Sequence, residues 1–180
     1  MSDFPTMVTS MPAPGVITSS SPSSLTFDAV MMSQADFTAG AVWPAANRAI
    51  YVPFIVDSIV TAYQMAFEVT VQSGNCDVGI YDELGNRVVS KGSTAVGAAG
   101  IQLVDITDTV LTPNTYYAAL NVDNTTAAVT RISGIAALWL QVYGVQQQAV
   151  GAVTLPNPAT FANPASAYLP CIAVALKSAL

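Results

Sequence analysis

The most regular pattern in the chain is an alternation of two kinds of side chain between residues 59 and 71. Every second position there is apolar or a β-former, namely Ile59, Thr61, Tyr63, Met65, Phe67, Val69 and Val71. The intervening positions are mostly small or polar. Successive side chains of a strand point to opposite faces, whereas a helix needs apolar residues three and four apart. The alternation therefore predicts a long strand with one buried face.

Shorter β-type runs lie on both sides of this segment. Residues 49–56 are β-branched and aromatic, and Pro53 places that run at a sheet edge or a bulge. Residues 76–81 and 87–91 are separated by a short turn with Gly and Asn, which predicts a β-hairpin. Further strands are predicted over residues 101–106, 115–121, 138–143 and 171–176. Short strands at this spacing, with no helix pattern of about twelve residues, predict an all-β fold: an antiparallel β-sandwich or jelly roll.

The two ends of the chain differ from this pattern. Residues 1–25 are rich in Pro and Ser, and we predict that they form an extended N-terminal arm preceding a jelly-roll domain over residues 26–180. The arm is either a mobile tail or a segment that orders on a partner through its apolar side chains. Those side chains are Phe4, Met7, Val8, Met11, Val16 and Ile17. Residues 149–170 carry four prolines and predict a loop that crosses the surface before a last strand.

Composition adds an expectation about the surface. The chain has 180 residues, which favours a single domain, and 52% of them are apolar. Only 9% are charged, against about 25% in a typical soluble domain. Disorder over most of the length is excluded, because disorder requires low hydrophobicity and high charge. We expect part of the exterior to be covered by other chains, since so few charges are available to solvate it.

Charge and apolar content also exclude partners. The net charge is −6 with five basic residues, so the chain lacks the positive surface that nucleic-acid binding requires. No apolar stretch reaches the roughly 18 residues of a membrane-spanning helix. The N-terminus has no basic region followed by an apolar run, so we expect no secretory signal and synthesis in the cytoplasm.

Candidate chemistry is sparse. The chain has no His, which excludes Ser-His-Asp and Cys-His enzymes and removes the commonest transition-metal ligand. The nearest acidic pairs, Asp82 with Glu83 and Asp105 with Asp108, are interpreted as turn and strand-end residues. A glycosidase needs only two carboxylates and remains an alternative. A second alternative is a Ca²⁺ site formed by Asp82, Glu83 and Asn86, although their spacing differs from that of the ligands in an EF-hand loop. No phosphate-binding motif is present, and we predict no cofactor and no metal.

The cysteines and aromatic residues are interpreted mainly as core. Cys76 and Cys171 belong to no CxxC pair and are expected to be reduced and buried, with a long-loop disulfide as the alternative. Most of the aromatic residues at period-two positions are also assigned to the core: Tyr51, Tyr63, Tyr81 and Trp139. Trp43, beside Pro44 and outside any predicted strand, is the candidate for an exposed binding residue.

Four segments of the β-rich region carry distinctive motifs. Residues 76–94 contain a strand ending in DVGIYD, a Gly turn and a second strand rising to SKGST. Residues 105–108 read DITD, and residues 111–120 read LTPNTYYAAL. Together with residues 43–54, these segments resemble a jelly-roll module of structural proteins in tailed bacteriophages, and the resemblance covers residues 43–121. It implies a virion protein, often a trimer, and does not separate a capsid decoration protein from a tail or fibre component.

We therefore expect a non-enzymatic virion structural protein, foremost a capsid cement or decoration protein bound to the major capsid protein or another virion protein. The expected contact residues are those of the arm named above, together with Met31, Met32 and Trp43. The alternative is a tail, baseplate or fibre component whose jelly roll binds a host carbohydrate through Trp43 or residues 92–100.

Overall fold

The computed structural model describes residues 37–132 and 134–178, and almost all regular structure there is β-strand. The predicted arm and its boundary with the domain lie outside the described residues. The elements are β1 (Phe37–Val42), β2 (Arg48–Val56), β3 (Val60–Val71), β4 (Asn75–Asp82), β5 (Arg87–Ser90), β6 (Thr94–Ala95), β7 (Gly100–Leu111), β8 (Asn114–Val122), β9 (Ala128–Ile132), α1 (Ala137–Val142), β10 (Gln146–Ala149), β11 (Leu169–Pro170) and β12 (Ile172–Ser178).

The strands form two antiparallel sheets packed face to face. The first sheet contains the order β1-β9-β3-β7. On β3, Val69 pairs with Val129 of β9 on one edge and with Gly100 of β7 on the other edge. The second sheet runs β10-β2-β8-β4-β5. The first sheet also contains β11, which pairs with β9, and β12, which pairs with β3 on the edge opposite β7. Without β6, β10, β11 and β12, the orders β1-β9-β3-β7 and β2-β8-β4-β5 are those of a jelly roll. The predicted all-β sandwich is confirmed.

The main core lies between the sheets and includes most of the predicted positions. On β3, Met65, Phe67 and Val69 are buried as the alternation predicts. The pairing with β7 shifts register between Ala62 and Gln64. This irregularity turns Ala62 into the core and leaves Tyr63 only half-buried. The other confirmed core residues are Val78, Ile80 and Leu120.

Residues 138–143 are not the predicted strand. They lie in the short helix α1 and its C-cap, and Leu140 alone in this helix is buried. The prediction was wrong because a nearly continuous apolar run fits either a buried strand or a helix, and periodicity cannot separate them. Gly144, at a φ of 75°, ends the helix. Its N–H bonds to Gln141 O while Val145 N bonds to Leu140 O, the paired bonds of a Schellman motif.

The Pro-rich segment predicted as a loop over 149–170 is a loop over residues 150–168, because Ala149 ends β10 and Leu169–Pro170 form β11. This loop covers the outer face of the second sheet. Leu155 and Ala159 from this loop pack with Tyr51, Tyr81 and Ala119 in a second, smaller buried cluster. Both tyrosines are fully buried, although the face that buries them is the outer one. The last strand, predicted over 171–176, is observed as β12.

Candidate interaction surfaces and buried polar groups

Of the predicted contact residues, Trp43 alone belongs to the part of the chain that the structure describes. Phe4, Met7, Val8, Met11, Val16, Ile17, Met31 and Met32 lie outside the described residues. Trp43 is described, and the idea that it is exposed was wrong, because its side chain is 0% exposed. Its Nε1 donates to Arg48 O at 3.0 Å, and its ring meets Tyr168 edge-on at 5.2 Å between centroids. The turn after β1 folds the indole inward, so in this structure it offers no surface to a partner.

The acidic pairs have structural partners. Asp82 Oδ1 accepts from the backbone N–H groups of Leu84 and Asn86, and Oδ2 accepts from Asn86 Nδ2. These bonds hold the pKa of Asp82 below its ordinary value. Asp105 accepts from Gln64 Nε2 at 2.7 Å. In the described part of the chain, no group of three His, Cys, Asp or Glu side chains is arranged to hold a metal ion.

One carboxylate that the sequence analysis did not single out is fully buried. Asp77, on β4, faces the loop that covers the second sheet. Its Oδ2 accepts from Leu155 N and its Oδ1 from Gly92 N, both at 2.8 Å, and Ser90 Oγ approaches both oxygens. Burial raises the pKa of Asp77, and these hydrogen bonds oppose the increase without cancelling it. The side chain ties three separate chain segments together.

Two buried amides hold other parts of the same loop. Asn121 Nδ2 donates to the carbonyls of Ala152 and Val153. Gln147 Oε1 accepts from the backbone N–H of Ala165 and of Ser166. A segment without regular strands has unpaired backbone groups, and side chains of the sheet satisfy them here. We call Asp77, Asn121 and Gln147 the loop clamp.

The residues of α1 form an exposed apolar surface. Leu138 is 67% exposed, Trp139 55%, Val142 65% and Tyr143 46%. The two rings stack with centroids 6.5 Å apart. Assigning Trp139 to the core was therefore wrong. We call these four side chains the helix surface.

A second apolar area lies on the outward face of β7. Ile101, Leu103 and Val110 are more than half exposed, and we call them the β7 face. Among the described residues, β7 pairs only with β3, so its other edge is unpaired. A long edge strand with apolar outward side chains is a template for contact with another chain.

An open recess lies beside this strand. It is lined by Lys91, Thr94, Gln102 and Asp105 among others. Within the described residues, the one ion pair is elsewhere, between Lys177 Nζ and Asp108 Oδ2 at 2.6 Å. The recess does not gather several charges of one sign, and we assign it no ligand.

The two cysteines are free thiols. Cys76 is buried, and burial raises its pKa to about 12. Cys171 is half-buried, and its pKa is also raised, first by burial and then by the Glu68 carboxylate. The reduced state follows the prediction, whereas full burial holds for Cys76 alone.

Comparison with known proteins gives no family. No protein-family model, no curated protein and no solved structure matches this chain. Among the helices of residues 37–132 and 134–178, none has the length and apolar character to span a membrane.

Proposed function

We propose that this chain is a non-enzymatic structural protein of a tailed-bacteriophage virion, acting as a capsid cement or decoration protein. The observation that carries the proposal is the β7 face, an exposed apolar area on a strand that pairs with β3 alone among the described residues. Such an area is suited to a repeated contact between subunits. The sequence resemblance over residues 43–121 supports the virion setting and a trimer.

The charge distribution supports association of this kind. Ile101 and Leu103 form an uncharged apolar pair near the start of β7, and the exposed Asp105 and Asp108 lie between this pair and Val110. Contact between copies would remove Ile101 and Leu103 from water at about 25 cal/mol per Å² of apolar area buried. The bordering carboxylates would stay at the polar rim, as in typical interfaces.

The arm supplies attachment to the shell in this proposal. Residues 1–25 contain extended-chain formers with interspersed apolar side chains, which suits a segment that orders along a partner surface. Deleting residues 1–25 is expected to leave a folded oligomer that no longer decorates particles. Full occupancy of shells by the truncated protein would refute attachment through the arm.

The oligomer contact has its own test. Ile101→Glu combined with Leu103→Glu should dissociate the trimer in sedimentation analysis, because carboxylates would be buried in an apolar contact. Leu84→Glu is the matched control, since Leu84 is 78% exposed in the β4–β5 turn and does not belong to the β7 face. Circular dichroism checks that both variants remain folded. An unchanged oligomer in the double variant would refute the β7 contact.

A tail or fibre component that binds a host carbohydrate is the second candidate. The observation that favours it is the exposed, stacked pair Trp139 and Tyr143, because exposed aromatic rings suit contacts that are apolar on one side and wet on the other. Glycan-array binding that is lost in Trp139→Ala would support this candidate. Electron microscopy of particles carrying labelled protein separates a shell location from a tail location.

A further inference from the structure

The helix surface is an unusual feature for such a short element. Of the six residues of α1, only Leu140 is buried, while three large apolar side chains of the helix and its C-cap Tyr143 point outward. Burying one residue while exposing so many gives little packing energy for a helix this short. A second layer over this helix would account for its composition.

The described chain begins at the end of the sheet from which the segment leading to α1 departs. Phe37, the first residue of β1, pairs with Ile132, the last residue of β9. Paired residues of antiparallel strands lie about 5 Å apart at their Cα atoms. The chain leading to α1 leaves β9 at Ile132, and α1 begins five residues later at Ala137. The polypeptide that precedes Phe37 therefore enters the domain at the end from which α1 departs.

Chain length permits a contact between that polypeptide and the helix surface. Four residues lie between Met32 and Phe37, which makes five steps along the chain. Each extended step spans at most about 3.6 Å, so Met32 can reach about 18 Å from Phe37. Residues 33–36 are Ser, Gln, Ala and Asp, a short and mostly polar connection. A connection this short gives the tethered segment a high effective concentration at the helix.

The segment next to this connection has the matching chemistry. Residues 25–32 contain five large apolar side chains, Leu25, Phe27, Val30, Met31 and Met32, and one charge, Asp28. Methionine adapts to irregular apolar surfaces and makes favourable contacts with aromatic rings. A sugar ligand would instead need polar groups beside the rings, and Gln141 is the one polar side chain of α1.

We propose that residues 25–32 of the same polypeptide pack on the helix surface and cover Trp139 and Tyr143. This contact would be intramolecular and independent of the virion setting. It assigns Met31 and Met32 to the domain rather than to a shell partner, and leaves the preceding residues as the projecting arm.

Tryptophan emission gives a direct test in the full-length protein. The chain has two tryptophans, and Trp43 is fully buried, so acrylamide quenching reports mainly on Trp139. Weak quenching is expected in the native protein. Replacing Phe27, Met31 and Met32 with Ser should increase the quenching constant severalfold, whereas Met7→Ser with Met11→Ser, in the arm, should leave it unchanged. In a Trp139→Phe background, the serine substitutions should have no effect on quenching.

A cross-link identifies the occupant. Met32→Cys with Val142→Cys should form a disulfide within one chain under mild oxidation, whereas the pair Met7→Cys and Val142→Cys should not. A disulfide-linked dimer, or protection of Trp139 that grows with protein concentration, would show that a second copy covers the helix and would overturn the proposal. Strong quenching in the native protein, or protection gained only on adding a glycan, would overturn it as well.

Discussion

Replacing Asp77 with alanine should release the loop that covers the second sheet. The substitution removes the acceptor for the backbone N–H groups of Leu155 and Gly92 and for the Ser90 hydroxyl. Asp77 is 0% exposed, so water does not readily replace the lost bonds. A buried donor left without a partner costs about 1–3 kcal/mol. This applies to Leu155 N–H, whereas the half-buried Gly92 N–H keeps Ser90 Oγ as an acceptor at 3.2 Å, so the expected loss is about 1–3 kcal/mol. A domain is typically stable by about 5–15 kcal/mol, which makes this a large effect.

Urea unfolding followed by far-ultraviolet circular dichroism measures the change. Asp108→Ala is the matched control, because Asp108 pairs with Lys177 at the surface, where such a pair contributes about 0–1 kcal/mol. Limited proteolysis should cut residues 150–168 faster in Asp77→Ala than in the native protein. A loss of stability no larger than that of the control, with the loop still protected, would show that the clamp does not hold the loop.

Three further predictions concern the same region and the thiols. Burial raises the pKa of Asp77, so the native state binds this proton more tightly than the unfolded chain does. The free energy of unfolding of the native protein, relative to that of Asp77→Asn, should therefore fall as the pH rises from below the ordinary pKa of an Asp side chain through the raised pKa of Asp77. A difference in urea titrations that does not depend on pH would contradict this. Gly79→Ala should lower the free energy of unfolding by about 1–3 kcal/mol, because the added Cβ would lie 2.7 Å from a backbone carbonyl oxygen of β5. Gly151→Ala is the control in thermal unfolding, because a Cβ at that position would have no atom within 4 Å. A thiol reagent should label Cys171 before Cys76 in the native protein near neutral pH, because Cys76 is buried and its raised pKa keeps it protonated. Mass spectrometry measures the two labelling rates. Equal rates would show that the Cys76 thiol is accessible.

Much of the strand content could be predicted from local pattern. The alternation in β3, the hairpin of β4 and β5, and the turn at Asp82 all depend on neighbouring residues, and each is observed. A glycine between two β-branched residues, as Gly79 is, is typical of a close backbone approach, and β5 lies that close to it here. The strands β1, β9 and β10 were not predicted, because their short runs have no alternation strong enough to stand out.

The candidate surfaces were less predictable. Asp77 is one of several Asp residues in the sequence, and its burial depends on a loop about 78 positions further along the chain. The expected environments of both tryptophans were wrong. Trp43 is buried and packs against Tyr168, whereas Trp139 is exposed on α1. No local signal distinguishes these cases, because long-range packing sets the exposure of an aromatic side chain.

Composition and the two-residue period of a strand are enough to establish the all-β character, the low content of charged residues and the lack of histidine chemistry. They do not establish which face each strand buries, where α1 replaces a strand, or how the loop clamp satisfies the backbone of a long irregular segment. Those features depend on residues far apart in the chain that meet when the two sheets pack, and a local pattern carries no information about such meetings.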